Sequence, residues 1–70
     1  MTNSMLTIRL NGEEVAIEPG TVTDLLKRKG YRIERAVVEL NTLLLSREAW
    51  SRIELKSGDR LEVVGFVGGG

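Results

Sequence analysis

The side chains that most often carry chemistry are missing from this 70-residue chain, which has no cysteine and no histidine. It therefore has no thiol nucleophile, no thiolate or imidazole set for a metal, and no imidazole base near neutral pH. Ser4, Ser46, Ser51 and Ser57 have no histidine to activate them. The carboxylates are scattered among solvent positions rather than paired for acid and base work. "GTVTD" (residues 20–24) and "KSGDR" (residues 56–60) lack the glycines followed by Lys-Ser/Thr of a phosphate-binding loop. No residue is assigned as catalytic or as a metal ligand. Two features remain, the basic run Lys27-Arg28-Lys29 and the three glycines Gly68, Gly69 and Gly70. Taken alone, the first reads as the solvated end of a helix and the second as a frayed terminus.

Charge narrows the partners. Ten Lys and Arg balance ten Asp and Glu, so the formal net charge is zero and no whole-molecule field draws the chain to nucleic acid or an anionic membrane. Three aromatics, Tyr31, Trp50 and Phe66, are too few for base-stacking platforms. The start "MTNSMLTIRL" has no signal or transit character, and no apolar run approaches the roughly 18 residues of a membrane span. The expectation is a cytoplasmic protein of one domain over residues 1–67 with a flexible glycine tail at 68–70, its first four residues a frayed lead-in. Without disulfides or metal, so small a domain must hold itself together by packing.

The elements follow from periodicity and punctuation. Leu6, Ile8 and Leu10 alternate with Thr7 and Arg9, which predicts a strand with one buried face. Asn11-Gly12 is a hairpin signal, and Val15 and Ile17 belong to the returning strand. After Pro19-Gly20, Thr21 as N-cap and Asp24 at the capping-box position open a helix with Val22, Leu25 and Leu26 on one stripe and Gly30 at its end. "ERAVVELN" (34–41) predicts a third strand with Ala36, Val38 and Leu40 on one face, and Leu43 to Leu45 a short fourth. Ser46 is expected to cap one helical turn carrying Trp50, a packing anchor. A turn at Ser57-Gly58-Asp59 leads to a final strand with Leu61 and Val63 inward. Val64 and Phe66 share the parity of the outward Glu62, so with Val67 they predict a small exposed apolar patch for docking a partner. Strand, strand, helix, strand, short strand, strand is the order of an α+β, ubiquitin-like β-grasp fold, a mixed sheet of four to five strands with one main helix on one face.

Three stretches together carry a resemblance. "NGEEVAIEPGTVTDLL" (11–26), "VVELNTLLLSREAW" (37–50) and "LKSGDRLEVVGFVGGG" (55–70) resemble the ThiS family, the sulfur carriers of thiamin (thiazole) biosynthesis, over nearly the whole chain. Ser46 stands where that family often has proline, and Gly65 where many members carry a bulkier or polar residue. The resemblance implies a protein cosubstrate rather than an enzyme. A ThiF-like adenylating enzyme would use ATP and Mg²⁺ to adenylate the carboxylate of Gly70, and a cysteine desulfurase or other persulfide donor would supply sulfur, leaving a thiocarboxylate. A ThiG-like thiazole synthase would take that sulfur. Gly68 and Gly69 would thread the partners' active sites, and Val64, Phe66 and Val67 would dock them.

The chemistry of the residues agrees with that implication. With no cysteine, the α-carboxylate is the credible atom set on which sulfur can be held, and as a poor electrophile it must first be activated. Because the chain has no nucleotide-binding motif, it binds no cofactor on this reading and the ATP chemistry belongs to another protein. Glycines without Cβ pass a narrow channel and adopt φ values closed to other residues. Three alternatives stay open: the small subunit of molybdopterin synthase, which shares fold and diglycine logic; a ubiquitin-like modifier joined through Gly70 to lysine; and a plain β-grasp interaction module.

Overall fold

The computed structural model describes residues 4–65. Its sheet has five strands, β1 (Leu6–Leu10), β2 (Glu13–Ile17), β3 (Val37–Leu40), β4 (Leu43–Leu44) and β5 (Arg60–Val64), in the order β2-β1-β5-β3-β4. β1 and β2 form the expected antiparallel hairpin, with Ile8 opposite Val15. Asn11 (φ 50°) and Gly12 (φ 87°) turn it with the positive φ angles that this tight connection needs. The last strand enters between the first and third, parallel to β1 with Leu10 opposite Leu61, and antiparallel to β3 with Val38 opposite Val63. A mixed sheet with one helix on one face is the β-grasp arrangement.

The covering helix α1 (Val22–Lys29) starts and stops where its residues dictate. The Asp24 N–H donates to Thr21 Oγ1 at 3.2 Å and the Thr21 N–H donates to Asp24 Oδ2 at 2.9 Å, a complete capping box. The Thr21 backbone N–H first, then the Thr21 hydroxyl, with Arg28 and Lys27 adding attraction against slight desolvation, hold the Asp24 carboxyl below its ordinary 3.8. Gly30 closes the helix at φ 84°. Lys27, Arg28 and Lys29 lie exposed in the last turn, Arg28 3.8 Å from Glu18, so the basic run is a solvated helix end.

The core lies between α1 and the inner face of the sheet. Val22, Leu25 and Leu26 meet Ile8, Leu10, Ile17, Ala36, Val38, Leu61 and Val63, all buried. Each fully buried aliphatic side chain contributes about 1.5–3 kcal/mol relative to exposure. Trp50 is 3% exposed, a packing anchor as its sequence position suggests.

Three local expectations are corrected. The third strand begins at Val37 rather than Glu34, because Ile33–Arg35 form a turn of 3₁₀ helix. The carbonyls there are committed elsewhere: the Arg47 guanidinium donates to Ile33 O, to Glu34 O at 2.8 Å and to Ala36 O at 3.2 Å. Strand β4 stops at Leu44, although the Leu45 N–H still donates to Val38 O at 2.9 Å. Ser46 stands at the N-cap of α2 (Arg47–Trp50), but its side chain makes no capping hydrogen bond. Among the described residues no helix is long and apolar enough to cross a membrane.

Candidate functional site

The strand that leads to the glycines is paired on both edges and tied further by side chains. Two asparagines with positive φ, Asn11 (50°) and Asn41 (52°), stand beside it. Asn11 accepts from the Val63 N–H on Oδ1 at 2.8 Å and donates from Nδ2 to the Tyr31 hydroxyl at 3.2 Å. Asn41 accepts from the Arg60 N–H on Oδ1 at 2.9 Å, while its own N–H donates to Arg60 O at 2.8 Å. The left-handed conformation at each turn aims the short amide at the neighbouring strand. Asp59 adds to this frame: its Oδ2 accepts from the Lys56 N–H at 2.8 Å and its Oδ1 from Asn41 Nδ2 at 3.2 Å.

On the outer face of the sheet, register brings together residues that are far apart in sequence. Val64 lies directly opposite Val37, and Glu62 directly opposite Glu39, which in turn faces Leu44. Val64 is 71% exposed, Leu44 70% and Val37 50%, so three apolar side chains surround two carboxylates on an uncovered surface. Arg9 and Arg60 form a second like-charge pair across β1 and β5. Like charges directly opposite each other cost rather than contribute stability. Among the described residues neither Glu39 nor Glu62 has an ion-pair partner.

Of the residues expected to matter, Val64 is therefore outward and exposed, as its parity predicts. Phe66, Val67, Gly68, Gly69 and Gly70, with the domain boundary after 67, lie outside the described residues. The apolar surface is broader than expected, because Val37 and Leu44 join it. The alternation of β3 already turns Val37 outward, but its pairing with Val64 appears only once β5 is known to lie beside β3. The described chain ends with Gly65 at φ 151°. A Cβ there would stand 3.0 Å from Ala36 Cα and 3.2 Å from Arg35 O, so only glycine fits without displacement. Among the described residues no three Asp or Glu side chains converge as a metal site.

Comparison with known proteins follows the same outline. The ThiS family model matches residues 7–70. Over 67 residues the chain is 37% identical to the sulfur carrier protein ThiS of Bacillus subtilis (strain 168), covering 90% of this chain and 98% of that protein. It is 39% identical over 66 residues to a thiazole synthase of Magnetococcus marinus, covering 93% of this chain but spanning only 20% of that longer protein. The crystal structure of a thiamine biosynthesis protein (ThiS) from Geobacter metallireducens superposes with a TM-score of 0.77 at 36% identity, over 93% of this chain and 100% of that one.

Proposed function

The chain belongs to the ThiS family, and from that premise we propose that it is a sulfur carrier for thiamin biosynthesis, with the Gly70 carboxylate as the carrying group. One observation carries the reading: near-full-length similarity to a ThiS sulfur carrier in a chain that has no cysteine. The carboxylate of Gly70 attacks the α-phosphorus of ATP on a ThiF-like activating enzyme that holds Mg²⁺, and pyrophosphate leaves. The terminal sulfur of a persulfide from a cysteine desulfurase or similar donor then attacks the acyl carbon and AMP leaves. A thiol reductant cleaves the remaining S–S bond, becoming a disulfide and leaving the thiocarboxylate.

Thiazole as the destination is supported by the Magnetococcus thiazole synthase, which contains a segment similar to nearly all of this chain. The partner that takes the sulfur is, on this reading, a ThiG-like thiazole synthase. Gly68 and Gly69 thread the partners' active sites, since residues without Cβ lie close to channel walls. Ordering each of them costs about 1–2 kcal/mol, which favours release from one enzyme before the next is visited. Val64, Phe66 and Val67, joined by Val37 and Leu44, dock the partners.

The test is ATP–pyrophosphate exchange with the activating enzyme from the same cells. Exchange that depends on this chain is expected, and deleting Gly70 abolishes it while the melting temperature stays unchanged. Equal exchange with and without Gly70 would show that activation does not depend on the Gly70 carboxylate.

A further inference from the structure

Gly65 and Arg47 have separate places in the sequence but touch the same short stretch of backbone. Residues 66–70 continue from Gly65, whose α-carbon packs so closely on Arg35–Ala36 that an added Cβ would lie 3.0 Å from Ala36 Cα, 3.2 Å from Arg35 O and 3.4 Å from Ala36 N. The backbone it leans on is no part of the sheet, because the 3₁₀ turn Ile33–Arg35 and the extended Ala36 precede β3. Besides its own turn bonds, Arg35 N–H to Arg32 O at 3.0 Å and Ala36 N–H to Ile33 O at 3.4 Å, that stretch is held by the Arg47 guanidinium through carbonyls Ile33 O, Glu34 O and Ala36 O. The guanidinium is itself seated over the Trp50 ring, 5.0 Å from its centroid, and Trp50 is buried in the core. A connected path therefore runs from the core through Trp50 and Arg47 to the platform under Gly65.

The geometry points to Arg47 as a positioning residue for adenylation of Gly70: it fixes the Ile33–Ala36 backbone, and through it the direction in which the chain leaves Gly65. This inference rests on the proposed sulfur-carrier reading. Its physical basis is that a reacting group on a short tether reaches an active site in proportion to how well its anchor is aimed, and small misplacements carry large rate penalties. The role is separable from stability. Arg47 is exposed and two of its three hydrogen bonds to these carbonyls, those to Ile33 O and Glu34 O, are solvent-exposed, so water replaces the guanidinium there when it is removed. Lysine keeps the charge but not the planar fork that reaches several carbonyls while stacked on a ring.

The experiment is steady-state adenylation with the activating enzyme from the same cells, varying the carrier, for wild type, Arg47→Met, Arg47→Lys, Gly65→Ala and the Arg47→Met/Gly65→Ala double variant. Arg47→Met and Gly65→Ala are each expected to lower kcat about tenfold; the effect is read on kcat because Val64 and Phe66, the neighbours of Gly65, belong to the proposed docking surface and KM is expected to rise with it. Arg47→Lys does not restore kcat. Because both residues act through one platform, the double variant falls about tenfold rather than the hundredfold of independent effects. An unchanged kcat, a change confined to KM, or multiplying effects overturns the inference. If Arg47→Met unfolds at the assay temperature, the kcat of Gly65→Ala decides by the same criteria. If the wild type is not adenylated at all, the functional reading has failed. The Gly65 amide signal then decides the structural link, moving in Arg47→Met if the platform shifts and staying in place if it does not.

Discussion

The two faces of one sheet are built by opposite rules. On the inner face Ile8, Val38, Leu61 and Val63 are each at most 5% exposed and packed against α1. On the outer face, one residue along the same strands, Val37 and Val64 stand in water, Glu39 opposes Glu62 and Arg9 opposes Arg60. Every inner choice lowers the free energy of the folded chain, whereas the outer choices leave apolar area wet and place like charges together. The difference teaches that stability and recognition are divided by strand parity. A face that works against stability while its reverse is well packed is suited to be covered by a partner.

Substitutions on the two faces sharpen or break that contrast. The largest expected effect is on the inner face: Leu61→Ala, at a site with 0% exposure, costs about 2–5 kcal/mol in denaturant unfolding. A cost below about 1 kcal/mol would mean that the central strand is not the core's keystone. On the outer face, Val64→Asp or Phe66→Ala leaves unfolding nearly unchanged and weakens binding to the activating enzyme about tenfold, about 1.4 kcal/mol by titration. The reverse pattern for Phe66 would make it a core residue. Glu39→Gln relieves the opposed carboxylates and raises stability by about 0.2–1 kcal/mol. If it lowers stability instead, Glu39 has a favourable partner and the outer face is not frustrated.

The smallest effect lies in the cover of the inner face. The Asp24 carboxyl is held below its ordinary 3.8 when folded, so its contribution is present above that value and disappears as pH falls below it through the lower folded value. Asp24→Asn should therefore melt below the wild type at pH about 7, and the gap should close as pH falls through the lowered folded value. A gap that persists in acid would show that the carboxylate charge is not what the capping box uses.

Local chemistry made much of the fold legible. Asn11-Gly12, the Thr21–Asp24 box and Gly30 each act within a few residues, and the period-two alternation of Leu61 and Val63 already sorts inner from outer positions. The rest depends on contacts across the chain. "ERAVVEL" reads as one strand, but its first residues belong to a 3₁₀ turn whose carbonyls are bound by Arg47, more than ten residues away. The outer site was visible at Val64 by parity. Val37, Leu44 and the Glu39–Glu62 pair joined it only through the register of β5 against β3 and of β3 against β4. Ser46 has the right type and backbone for a cap, and the sequence holds no sign that its hydroxyl is unused.

In the proposed function Gly70 carries sulfur. Its most direct test is the intact mass of the protein purified from its own cells, together with the C-terminal peptide. The expected result is a fraction heavier by the replacement of one oxygen with sulfur, confined to Gly70 and increased by ATP, the activating enzyme and a persulfide donor. A mass that stays that of the free carboxylate under those conditions would contradict the account.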